Sequence, residues 1–181
     1  MIIFANRYVG IKVLAWFLEH PSAVVYINSL ARILNISPAS AKQFLDEYAQ
    51  ERILIAETHG NTRQFYLNNE DFVVKSLKRT HLLARLKHAG IMETGSSMIT
   101  LAVYGSTAAG TYTETSDIDI FVIGKESDID RDHLVVLQNN LGKEIQLTVV
   151  SLIQWEKMKS TYDTFVRNIL RDHVVIKGAS L

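Results

Sequence analysis

The stretch Leu101-Ala102-Val103-Tyr104-Gly105-Ser106-Thr107-Ala108-Ala109-Gly110, followed after a polar spacer by Ser116-Asp117-Ile118-Asp119-Ile120-Phe121-Val122-Ile123, decides the fold of this chain. One apolar run ends in Gly-Ser, and a second carries two carboxylates one residue apart. Side chains alternate across a strand, so Asp117 and Asp119 point the same way while Ile118 and Ile120 point into a core. Like charges held that close resist joint ionisation unless something positive sits between them. A divalent metal ion is the usual answer, and oxygen-only donors of this kind suit Mg²⁺ or Mn²⁺.

Gly105 lets backbone approach a ligand closely. The short helix expected after it presents free N–H groups and a positive dipole end, which favour phosphate, and Ser106 adds a hydroxyl donor. A phosphate grip beside metal carboxylates is what phosphoryl or nucleotidyl transfer requires. Two other readings of the same residues fail, and a third stands as the plain alternative. A Walker loop needs Lys where Thr111 stands, although Gly105 and Gly110 have the spacing. A nucleophile elbow needs one residue between Gly and Ser, and Ser106 directly follows Gly105. A plain hairpin with two solvent-facing aspartates conflicts with the depletion of Asp from strands.

The pattern Gly-Ser, a spacer of about ten residues, then Asp-x-Asp on a strand resembles the nucleotidyltransferase superfamily that includes DNA polymerase β, most closely its minimal nucleotidyltransferase branch. The resemblance implies a mixed sheet flanked by helices over residues 96–181. It implies that Gly105 and Ser106 hold the phosphates of an NTP, and that Asp117 and Asp119 hold Mg²⁺ or Mn²⁺ and serve catalysis. Members with activity carry a third carboxylate on a later strand. The matching segment here is Lys143-Glu144-Ile145-Gln146-Leu147-Thr148-Val149-Val150, with Gln146 where the carboxylate belongs. A neutral amide cannot take a proton. Glu144, two positions earlier, is the candidate substitute for the catalytic base, set against a plain reading as a solvated edge charge. Thr107, Ala108 and Ala109 stand where family members often carry Arg, which weakens the phosphate grip.

The N-terminal segment has its own order. Arg7 to Glu19 has helical apolar spacing stopped by His20-Pro21, and Val24 to Tyr26 is extended. Asn28 is expected to cap a helix over Ser29–Leu34, and Ser37 with Pro38 to open one over Ala39–Glu51. A hairpin follows over residues 53–67. The order resembles a winged helix-turn-helix over residues 1–70. By that resemblance Ser40, Lys42 and Gln43 face a DNA major groove, and Asn61 and Arg63 at the wing contact backbone or minor groove. Residues 1–70 hold six basic and six acidic side chains. Phosphate contacts dominate DNA affinity, so a module used for protein contact or dimerisation stays open beside DNA binding. Winged-helix regulators read paired half-sites as dimers, so a homodimer is expected.

Residues 71–95 read as a connecting helix and loop. From Asp71 to Ala89, Lys75, Lys78, Arg79, Arg85 and Lys87 sit against Asp71 alone, suiting nucleic-acid contact, a dimer helix or a plain solvated face. Phe72, Val73, Leu77, Leu82, Leu83 and Leu86 form its apolar stripe. Beyond the carboxylate strand the sequence alternates helix and strand, with Leu134, Val135, Leu137 and Leu141 on one helix and Trp155, Phe165, Ile169 and Leu170 assigned to the core.

The fold class expected is therefore α/β (α+β) in two domains. The 181 residues carry no net formal charge, which gives no general pull toward nucleic acid. There is no Cys, so no disulfide or thiolate zinc site exists. Without a signal segment or long apolar span, a cytoplasmic location away from membranes is expected. The two functions compatible with these residues are an Mg-dependent nucleotidyltransferase and a DNA-binding transcriptional regulator with an inactive domain that senses a nucleotide or mediates assembly.

Overall fold

A computed structural model describes residues 8–95, 97–161 and 163–181. Arg7, Ser96 and Tyr162, which the sequence reading placed in a helix, a loop and a helix, lie outside the described residues. The chain divides into two compact units, Met1–His81 and Leu82–Leu181.

In the first unit, α1 (Val9–Glu19) is followed by β1 (Val24–Tyr26), α2 (Ile27–Leu34) and α3 (Pro38–Gln50), then β2 (Leu54–His59) and β3 (Thr62–Leu67). The strands form an antiparallel sheet in the order β1-β3-β2. Val13, Phe17, Leu30, Leu45, Leu54 and Phe65 form its buried core. Ser37 caps α3 as expected, its hydroxyl accepting from the Ser40 N–H at 3.0 Å. The expected cap of α2 is displaced. Asn28 lies inside that helix, and the Ser29 hydroxyl reaches back to accept the Tyr26 N–H at 2.9 Å.

The helix α4 (Phe72–Ala89) contributes to both units, the division falling between His81 and Leu82. Its apolar stripe is shifted from the expected one. Phe72 is 78% and Val73 44% exposed, while Val74, Leu82 and Leu86 are buried. Lys78 is not on a solvated face: it is buried, and its ammonium donates to Asn69 Oδ1 at 2.9 Å.

The second unit continues with β4 (Thr100–Tyr104), the short α5 (Gly105–Ala109), β5 (Ile118–Ile123), α6 (Arg131–Leu141), β6 (Ile145–Val150), α7 (Leu152–Ser160), α8 (Thr164–Arg171) and β7 (His173–Gly178). The sheet order is β6-β5-β4-β7, with β5 and β6 parallel and the other pairs antiparallel. This is the mixed sheet flanked by helices that the sequence led us to expect. The two faces of β5 enter different cores. Ile118, Ile120 and Val122 pack with Leu134, Leu137 and Leu141 of α6 and with Leu82 and Leu86 of α4. Phe121 and Ile123 pack with Trp155 of α7 and Val166 and Ile169 of α8.

Two apolar assignments are corrected. Leu170 is 41% and Val135 53% exposed. Each lies one residue beyond an inward position, Ile169 and Leu134, and one residue turns a helix by about 100°.

Candidate functional site

Asp117 immediately precedes β5 and Asp119 is its second residue, so strand alternation places both carboxylates on the face that carries Phe121. Across the sheet, Asp119 is paired with Tyr104 of β4 on one side and Gln146 of β6 on the other. The Phe121 ring beneath them lies 4.9 Å from Trp155 and 6.2 Å from Phe165, and Tyr104 meets Phe165 edge to face at 5.8 Å. The carboxylates thus stand at the rim of an aromatic floor.

Gly105 opens α5 directly above this rim, with φ +65°. A Cβ at that position would lie 2.6 Å from Asp119 Oδ2. Two constraints therefore demand glycine: the left-handed backbone, and the space that the carboxylate occupies. Ser106 follows as the second residue of α5, half-buried. Next to it, Thr107 is fully buried and its hydroxyl has no hydrogen-bond partner among the described residues. Such a group costs about 1–3 kcal/mol.

Burial pushes the Asp119 carboxyl pKa up, and the neighbouring Asp117 charge pushes it further the same way. A cation between the two would relieve this. Burial likewise raises the Tyr104 phenol, with the Asp119 charge adding to it and the hydrogen-bond partner Thr148, at 3.4 Å, opposing it. The donor set fits a hard divalent cation in chemistry and in placement, with two carboxylates on one strand face and no side chain on the residue facing them.

The third position is occupied by an amide. Gln146 Nε2 donates to Asp117 Oδ2 at 3.4 Å. Glu144 lies one residue before β6, exposed, along a hollow shared with Gln138, Asn139, Gly142 and Lys143. Gln138 and Asn139 belong to α6, which covers the sheet face opposite the aspartates. Among the described residues no group of three His, Asp or Glu side chains is gathered that could hold a metal. The structure thus brings together Gly105, Asp117, Asp119 and Gln146, with Ser106 adjoining, and sets Glu144 beside α6.

The residues expected to meet DNA lie on α3 and the β2–β3 hairpin of the first unit, and most are engaged with their own chain. Lys42 Nζ bonds Asp46 at 2.8 Å, and Arg63 bonds the other oxygen of the same carboxylate. These bonds hold the Asp46 pKa low, the Lys42 hydrogen bond most of all. Gln43 Nε2 donates to Glu47 at 2.9 Å, and the Ser40 hydroxyl accepts from that of Ser37 at 2.9 Å. Asn61 is exposed at the tip of the β2–β3 hairpin.

Sequence reasoning missed Lys143 and Tyr104 as neighbours of the site. Lys143 bonds carbonyls 27 to 30 residues away, a distance at which local pattern carries no signal. No described helix is long and apolar enough to cross a membrane.

Comparison with known proteins bears on the family of the segment that holds these residues. The model of the family described as Polymerase beta, Nucleotidyltransferase matches residues 87–180, just over half of the chain. A Methanocaldococcus jannaschii protein, provisionally named a protein adenylyltransferase, is 32% identical over 78 residues, which are 42% of this chain and 75% of that one. The matched span contains the Gly-Ser turn and both aspartates. On these grounds the chain belongs to the polymerase β nucleotidyltransferase family.

Proposed function

We propose that the second unit transfers a nucleoside monophosphate from an NTP to a hydroxyl group, with adenylate from ATP and a protein acceptor as the first candidates. The observation that carries this reading is the seat of Gly105 against Asp119, where only a residue without a side chain lets the Gly-Ser turn lie so close to a paired-carboxylate face. The name of the archaeal relative supports adenylate and a protein acceptor.

In this reaction the acceptor oxygen bonds to the α-phosphorus as the bond to the β-phosphate bridge breaks, and pyrophosphate leaves. Asp117 and Asp119 would hold Mg²⁺ or Mn²⁺, which when bound neutralises triphosphate charge. Gly105 and Ser106 present backbone N–H groups and a hydroxyl to the phosphates. Gln146 cannot take the acceptor's proton, so that role is assigned to Glu144, whose side chain, exposed one residue before β6, must turn from the α6 side toward the aspartates to fill it. Glu144→Gln should then slow transfer by about 10²-fold or more. An unchanged rate would give the proton to solvent instead.

The first unit is proposed to be a winged helix-turn-helix, because α2, a turn at Asn35–Ser37 and α3 are followed by the β2–β3 hairpin. A second reading is favoured by the Gln146–Asp117 hydrogen bond. In it the protein is a dimeric DNA-binding regulator whose second unit binds a nucleotide without turning it over.

Calorimetric titration with each NTP, in Mg²⁺ and then in EDTA, tests the shared premise. Metal-dependent binding that disappears in Asp117→Asn/Asp119→Asn supports the site, and unchanged binding in that double variant rejects it. Transfer of label from α-labelled ATP to protein then separates enzyme from sensor.

A further inference from the structure

Lys143 precedes β6 and is half-buried. Its ammonium donates to three backbone carbonyls: Thr113 at 3.0 Å, Glu114 at 2.8 Å and Ser116 at 3.0 Å. An ammonium has three donors, so this set uses all of them. The same nitrogen lies 5.8 Å from the centre of the Tyr112 ring, within the range of cation–π attraction. The turn is closed internally as well, with the Thr113 N–H donating to the Ser116 hydroxyl at 2.9 Å.

Asp117 is the next residue. On its other side, the Ile118 N–H donates to the Glu144 carbonyl at 2.9 Å. Asp117 is therefore held before and behind by consecutive residues, Lys143 and Glu144. Their own place is fixed by Gln138 of α6, whose side-chain oxygen accepts the Ile145 N–H at 2.9 Å.

We propose that Lys143 is a positioning residue of the carboxylate site: its ammonium fastens the Thr113–Ser116 turn and so sets where the Asp117 carboxylate stands. The role in metal binding rests on the reading of Asp117 as a ligand; the fastening does not. Burial and the Arg85 charge lower the Lys143 pKa, against the opposing pull of Glu114 and Asp117. A lysine with no structural task would leave this place for water.

The test uses the full chain, freed of metal, as wild type and Lys143→Met. Amide hydrogen exchange at Ser116 should quicken about tenfold or more in the variant while Ile120 in β5 stays protected. Mn²⁺ affinity, read by electron paramagnetic resonance, should fall about tenfold. Unchanged exchange at Ser116 overturns the proposal whatever the metal does. Faster exchange with unchanged Mn²⁺ affinity overturns the positioning of Asp117. If the wild type binds no Mn²⁺, the metal reading of the site fails, and exchange alone decides the fastening. Should the variant not fold, the wild-type ammonium is observed directly by ¹⁵N-edited NMR. Slowly exchanging Lys143 Nζ protons support three carbonyl partners, and protons lost to rapid solvent exchange overturn them.

Discussion

The Cα of Gly105 faces the carboxylate of Asp119 so closely that a methyl group built there would stand 2.6 Å from Oδ2. Gly105→Ala must move the carboxylate or the start of α5, and it also forces alanine to φ +65°. A loss of about 1–3 kcal/mol of stability is expected, checked by urea unfolding. Mn²⁺ affinity should fall with it. A variant of wild-type stability and affinity would show that the Gly105 seat does not shape the site.

Asp119 gives the metal-free protein a pH dependence of defined sign. Its folded pKa lies above the unfolded value, through burial first and Asp117 second. The folded state therefore binds more protons than the unfolded state in the window from the unfolded pKa upward. The stability contribution is full below that window and is lost as pH rises through the folded pKa. Asp119→Asn should accordingly raise the melting temperature in EDTA at pH 7, with the gap to wild type closing as pH falls to about 4. Saturating Mn²⁺ should reverse the order, because only the wild type gains from binding. A variant less stable than wild type at pH 7 in EDTA would contradict the sign.

The third position offers a gain-of-function experiment. Gln146 stands opposite Asp119 in register and donates to Asp117. Gln146→Glu exchanges that donor for a third negative charge. The melting temperature should fall in EDTA, recover with Mn²⁺, and transfer should rise by about tenfold or more, the lower scale of a positioned base. A stability unaffected by metal would place residue 146 outside the ion's reach.

On the first unit, Asp46 holds both cations assigned to DNA, Lys42 and Arg63. Asp46→Asn frees them. Binding to duplex DNA should strengthen at low salt, with the log–log salt slope steeper by about 1–2. The folding cost should stay within about 1 kcal/mol, as for exposed ion pairs. Unaltered DNA binding would turn the reading of this unit toward protein contact.

Sequence carried the placement of the two carboxylates on one face because its grammar is local. Gly105 ends one strand, Asp117 and Asp119 alternate with Ile118 and Ile120, and period two is enough to set their faces. Register also placed Gln146, since parallel pairing puts it beside Asp119. What stayed hidden depends on remote partners. Nothing near Arg63 announces Asp46, 17 residues away, and nothing near Lys143 announces the Thr113–Ser116 turn. The misplaced α2 cap has a related cause. Asn28 and Ser29 are both good caps by type, and only the path of Tyr26 decides between them. Leu170 and Phe72 were misread because an apolar residue at the edge of a helical stripe belongs equally to the core and to the surface.

The Gln146–Asp117 hydrogen bond has a genetic consequence. Glutamine and glutamate codons differ by a single base, so the chemistry of position 146 lies one point mutation from an acid. Asp119 sits on one strand with Asp117 just before it, and the amide on the neighbouring strand. One base change at this codon would therefore set a third carboxylate in register with Asp119, leaving the strand that carries it unaltered.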